Sequence, residues 1–169
     1  TIPESSRSPL WFGLVLFLAA AAASVWFVGR LSAFGESLEH RHGLAIVTTA
    51  ASLLEADEVA SLRGHPDDAG SETLETVRAR LSKLRETNPG FRFVYLMRPM
   101  DAHGEQFVFL ADAEDPASPD YSAPGDVYDG PTENLRAVLE TGRPVFSGVV
   151  EDRWGRWVSA LAPVRHEGR

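Results

Sequence analysis

The chain has 169 residues, 44% of them apolar and 24% charged, a composition for one folded domain of ordinary size and not for a disordered chain. Sixteen basic residues against twenty-four acidic ones leave a net charge of −8, which speaks against nucleic acid as a partner, because phosphate binding needs a positive face. The absence of cysteine removes disulfides, thiolate nucleophiles, iron–sulfur clusters and Cys-based zinc sites together, and suits an oxidising compartment.

Residues 1–8 read as a short cytoplasmic tail. Residues 9–28 (PLWFGLVLFLAAAAASVWFV) carry no charge and are long enough to cross the hydrocarbon core as a helix. Trp11 and Phe12 at one end, Trp26 and Phe27 at the other, fit the two interfaces. A cleaved signal peptide is the competing reading, since the alanine run offers a cleavage site, but Val25–Val28 carries the apolar run beyond it. The whole net charge lies beyond the span, and residues 30–169 form the expected extracytoplasmic domain.

From Leu31 to Leu62 the spacing predicts one long stalk helix, weakened by Gly35 and Gly43. Arg63–Gly70 (RGHPDDAG) reads as a loop. A second helix is predicted from Ser71 to Thr87, capped by Ser71, with Leu74, Val77, Leu81 and Leu84 on its buried stripe. The period then changes from helical to alternating. Phe91–Arg98 and Gln106–Asp112 read as a hairpin turning at Asp101–Gly104. A long loop, 113–131, holds four prolines. Thr132–Thr141 is a short helix stopped by Gly142. Pro144–Glu151 and Arg156–Val164 form a second hairpin about Asp152–Gly155. The order defines an α+β protein: a transmembrane helix, a stalk helix, then an antiparallel sheet with helices on one side and a fifth strand missing after the last residues.

Nucleophilic and metal chemistry find little purchase. No GxSxG elbow, Walker or GxGxxG pattern is present. His40 and His42 are two apart, which on a helix points them to different faces. The carboxylates Asp112, Glu114, Asp115, Asp120, Asp126 and Asp129 crowd the long loop, but without EF-hand spacing, and read as a solvated acidic loop. No cofactor and no metal is expected. Ligand recognition is the sharper proposal. Arg98 shares a face of its strand with Val94 and Leu96, where a guanidinium can clamp a carboxylate. Tyr95, Tyr121 and Tyr128 can donate hydroxyls, and Asp152 can hold an ammonium or orient Arg98. The plainer alternative pairs Arg98 with Asp112 or Asp152 at the sheet rim. Trp154 and Trp157 read as packing residues beside Gly155.

The runs Phe91–Arg98, Phe107–Asp112, Tyr121–Gly125 with Tyr128-Asp129, and above all Asp152-Arg-Trp-Gly-Arg-Trp-Val-Ser-Ala-Leu-Ala-Pro163, resemble the extracytoplasmic PAS-like (PDC, or Cache) sensor domains of bacterial receptors. The resemblance covers residues 30–169 and is specific from Phe91 on. It implies a PAS-like sheet, a small extracytoplasmic ligand, and a location in the bacterial inner membrane. It also implies a cytoplasmic output, a sensor histidine kinase first and a diguanylate cyclase second. A homodimer is expected from the pairing surface of the long helix and span. Rival readings are a membrane-anchored binding protein without enzymatic output, and a secreted hydrolase if the signal peptide is cleaved.

Overall fold

The computed structural model describes residue 24, residues 40–152 and residues 155–165. The expected tail and, Ser24 apart, the expected span 9–28 lie outside the described residues, as do residues 31–39 of the stalk, Arg153-Trp154 and the last four residues. Among the described residues no helix is long and apolar enough to cross a membrane.

The predicted stalk helix is interrupted. Helix α1 covers 40–53. Glu55 then takes an extended conformation and starts a separate helix, α2 (Ala56–Ser61). The break lets Leu62, 2% exposed, turn into the core. The following loop is organised by one carboxylate: Asp68 Oδ2 accepts the N–H groups of Arg63 and Gly64 at 2.8 Å and of His65 at 3.2 Å. Helix α3 (Glu72–Thr87) forms as its sequence predicts. Ser71 Oγ accepts the Leu74 N–H, and Leu74, Val77 and Leu81 are buried. Leu84 is only half-buried.

Strands β1 (Tyr95–Pro99) and β2 (Phe107–Asp112) pair antiparallel. Their register steps once, because Leu96 faces Ala111 while Met97 faces Phe109. Leu110 is therefore the extra residue of a β-bulge, and it joins Ala111 on the face packed against α3. Val94 and Leu96 share that face with Leu62, Leu74, Val77 and Leu81. The turn is held by Asp101, whose carboxylate accepts the N–H groups of His103, Glu105 and Gln106. Gly104 is buried in it with φ of 64°, close against Arg136 and Leu139. These two belong to α4 (Glu133–Thr141), which ends on Gly142 in the left-handed conformation.

The single sheet expected from the sequence is not what forms. The described strands make three two-stranded ribbons: β1–β2, then β3 (Val145–Phe146) with β6 (Ala160–Leu161), and β4 (Val150–Asp152) with β5 (Gly155–Trp157). The second predicted hairpin is present but broken in the middle. Val145 faces Leu161 and Ser147 N–H bonds Ser159 O, yet Val150 faces Trp157, so one extra residue lies on the first strand. The buried Ser147 hydroxyl takes the Ser159 N–H at 2.7 Å, in place of a ladder carbonyl. Phe93, just before β1, meets the edge of the Trp157 ring at 5.4 Å. Trp157 also lies over Gly155, the packing role expected of it.

Two glycines separate backbone strain from steric exclusion. Gly64 (φ 67°) and Gly70 (φ 77°) are both left-handed. A Cβ at Gly64 would stand 2.9 Å from Val108 Cγ2, whereas at Gly70 it would meet nothing within 4 Å. Gly70→Ala is expected to cost about 1 kcal/mol for the conformation alone. Gly64→Ala should cost roughly 1–3 kcal/mol more, because β2 must shift. Chemical denaturation followed by tryptophan fluorescence checks the difference, and equal losses would contradict the contact.

Candidate functional site

Strand β2 has two hydrogen-bonded edges. One carries β1. Along the other runs the end of the long loop: Phe109 N–H donates to Asp126 O, Gly125 N–H to Phe109 O, and Tyr128 N–H to Phe107 O, at 2.8–3.0 Å. Val108 and Val127 face each other across this edge. The loop end thus covers the second edge of β2 through one bridge and three backbone hydrogen bonds, and all of Phe107–Asp112 is buried.

The face of β2 turned away from α3 is aromatic. Phe109, 1% exposed, meets the Tyr95 ring edge-to-face at 5.2 Å and the Tyr128 ring at 6.2 Å. Such pairs stabilise beyond the area they bury. The Tyr128 ring also lies against Gly130, where any side chain would displace it. The half-buried Tyr95 and Tyr128 rings, with the buried Phe109 between them, are the aromatic surface of this face.

The five residues singled out from the sequence do not converge. Tyr95 and Tyr128 come together on Phe109. Arg98 is three residues from Tyr95 on β1, so its side chain leaves the opposite face of the ribbon, the one Val94 and Leu96 use. It lies beyond the part packed on α3 and is exposed. Asp112 sits at the other end of the ribbon, opposite Tyr95, so it is not the partner of Arg98. Tyr121 lies at the edge of α3, its ring 5.5 Å from the Arg78 guanidinium carbon. Burial there pushes its hydroxyl above the ordinary value of 10.0, so it stays protonated. Asp152 faces Gly155 at the end of the β4–β5 ribbon, in a different pair of strands.

Residues the sequence did not single out join the loop to α3. Arg78 Nε donates to Asp112 O and its Nη2 to Glu114 O, both at 3.2 Å. Ser82 Oγ donates to Ala113 O, and Arg85 Nη1 donates to Glu114 Oε2 at 2.7 Å. The buried Asp112 carboxylate completes the join by accepting the N–H groups of Glu114 and Ser122, at 2.9 and 3.0 Å. Helix α3 is tied on to α2 by the Arg80–Glu58 ion pair. The sequence signal for Arg78 and Arg85 is their spacing of seven, two helical turns, which puts both on one side of α3.

A concavity with a volume of about 610 Å³ lies between α1 and α3. Among the described residues no group of three or more His, Asp or Glu side chains is arranged to hold a metal ion. No family model matches the chain, and neither does any curated protein or solved structure.

Two carboxylates titrate with opposite sign. Burial pushes Asp112 above the ordinary 3.8, against the pull of the Glu114 and Ser122 N–H groups. At Asp101 the Gln106 N–H, then those of His103 and Glu105, hold the carboxyl below 3.8. A raised folded-state value favours the protonated fold, so the Asp112 contribution falls as pH rises from 3.8 through that value. A lowered one does the reverse: the Asp101 contribution is present above 3.8 and is lost as pH falls through the lowered value. The stability gap between wild type and Asp101→Asn should therefore shrink on going from about pH 7 to about pH 3, and the gap to Asp112→Asn should widen. Denaturation midpoints across that range decide it, and gaps that move together would contradict the assignment.

Proposed function

We propose that this chain is the N-terminal sensor region of a bacterial membrane receptor. In this reading residues 9–28 anchor it and the domain from residue 30 stands outside the cytoplasm. A small ligand binds against Tyr95 and Tyr128 on the aromatic face, beside the loop that edges β2. The signal passes to a cytoplasmic module, a histidine kinase first among the outputs that the sequence resemblance implies.

The observation that carries this reading is the double attachment of the loop. Its end pairs with β2 beside the aromatic face, and its start is bonded to α3 through Arg78, Ser82 and Arg85. A ligand that moves the loop also loads α3, and the Arg80–Glu58 pair carries that displacement to α2. Binding then favours one of two arrangements of the same contacts, by no more than the difference in its affinity for them. Of the residues proposed from the sequence, Tyr95 and Tyr128 take the ligand-facing role. Arg98 and Tyr121 border other surfaces.

Thermal unfolding of the full chain in detergent, screened against small carboxylates, amino acids and amines, tests the reading. A true ligand at a hundredfold excess over its Kd raises Tm by roughly 5–10 °C. Tyr128→Ala should abolish that shift and Arg98→Ala should leave it. A panel without any hit, or a hit that depends on Arg98 and not on Tyr128, would overturn the proposed site.

A further inference from the structure

Asp112 carries a buried charge that the sensor reading does not use. Its side chain belongs to a residue only 3% exposed, and its carboxylate is held by two backbone N–H groups. Oδ1 accepts the N–H of Glu114, two residues on, at 2.9 Å, and Oδ2 accepts that of Ser122, ten residues on, at 3.0 Å. No basic side chain among the described residues makes an ion pair with it, since Arg78 pairs with Glu75 and Arg85 with Glu114. Burial without a paired counter-ion favours the protonated form of a carboxylate. We propose that Asp112 is a proton-operated latch on the long loop, which holds Ser122 when charged and releases it when protonated, while Glu114 stays in place. The latch stands whatever the loop binds.

The two bonds are unequal, and the difference decides which one breaks. A carboxylic acid keeps one good acceptor oxygen, and its other oxygen now faces an N–H donor with a donor of its own. Glu114 is fixed without Asp112, because Arg78 donates to its carbonyl and Arg85 to its carboxylate. Ser122, 1% exposed, is the far end of a loop whose closure costs entropy, and letting it go returns that entropy. Arg92–Asp120, which also ties this stretch, is a mostly exposed pair of little strength. The bonds of Gly125 and Tyr128 to β2 do not involve Asp112, so β2 keeps its cover while residues 115–122 loosen. The charged and titratable groups about the carboxylate are Glu114, Arg78 and Arg85 of α3, Tyr95 opposite on β1, and Tyr121 of the loop with Glu75 and Asp126 beyond it. Burial pushes the Asp112 carboxyl up, the Glu114 and Ser122 N–H groups pull it down, the Glu114 charge adds to the rise and the Arg85 charge opposes it. The net direction is upward, so as pH falls the latch takes its proton above 3.8.

The test is NMR of the isotope-labelled full chain in detergent micelles. The Asp112 carboxyl carbon, the amides of Ser122 and Glu114, and amide exchange corrected for its intrinsic pH dependence are followed from about pH 7 to about pH 3. The Ser122 amide is expected to move with the Asp112 carboxyl, in one step with a midpoint above 3.8. Its protection should fall roughly tenfold across that step, the weight of one hydrogen bond to a charged group, and the Glu114 amide should keep its own. Asp112→Asn, with one acceptor oxygen at every pH, should show Ser122 released already at neutral pH and no step. Asp126→Asn, which takes a neighbouring exposed carboxylate from the Ala123 N–H, should leave the step where it is. The wild-type titration decides the matter by itself if Asp112→Asn does not fold. A Ser122 amide that ignores the Asp112 titration, release of Glu114 in its place, a step lost in Asp126→Asn, or a step that persists in folded Asp112→Asn would each overturn the proposal.

Discussion

The structure depends on the complete enclosure of one strand. Phe107–Asp112 is buried along its whole length, which requires cover on both faces and both edges. Its faces take the α3 leucines on one side and the tyrosine rings on the other. Its edges take β1 and the loop segment ending at Tyr128. Backbone groups so far from water must be paired, so the loop is not an optional flap. It supplies the hydrogen bonds that β2 cannot find elsewhere, and its proline-rich sequence is consistent with a segment that pairs briefly and then leaves.

That constraint explains the chemistry of the loop's root. The chain turns out of β2 at Asp112, and three successive carbonyls, those of Asp112, Ala113 and Glu114, are met by side chains from α3. Arg78 serves two of them with one planar fork, which fixes direction as well as distance. The Asp112 carboxylate then bonds forward into the loop at Ser122. Keeping this carboxylate buried costs desolvation, visible in its raised pKa, and its two backbone N–H partners offset part of that cost.

Local elements were legible in the sequence where local signals act alone. Ser71 and the 3–4 spacing of Leu74, Val77 and Leu81 define α3, Gly142 ends α4, and Asp101–Gly104 marks the turn. The sheet was less legible. Strand alternation at Phe91–Arg98 and Arg156–Val164 runs past the positions where pairing stops, because a bulge depends on both strands. Leu110, and the extra residue opposite Val158, have no signature in their own strand. The continuous apolar run Phe107-Val-Phe-Leu-Ala does signal a strand covered on both faces, though not what covers it. For the site, two of the three tyrosines that the sequence offers as hydroxyl donors, Tyr95 and Tyr128, lie together on Phe109, and Tyr121 lies apart from them. Arg98 was read on the right strand face, but that face belongs to α3. Phe109, on which the two tyrosines meet, gave no signal apart from its hydrophobicity.

The most direct test of this account is amide hydrogen exchange of the full chain at the loop edge of β2. If the loop closes that edge of β2, the N–H groups of Phe109, Gly125 and Tyr128 are protected as strongly as those of the β1–β2 ladder, because both edges open only together. Exchange at these three amides at the rate of an exposed loop, with the β1 side still protected, would contradict the enclosure of β2 and the coupling of the loop to α3 that follows from it.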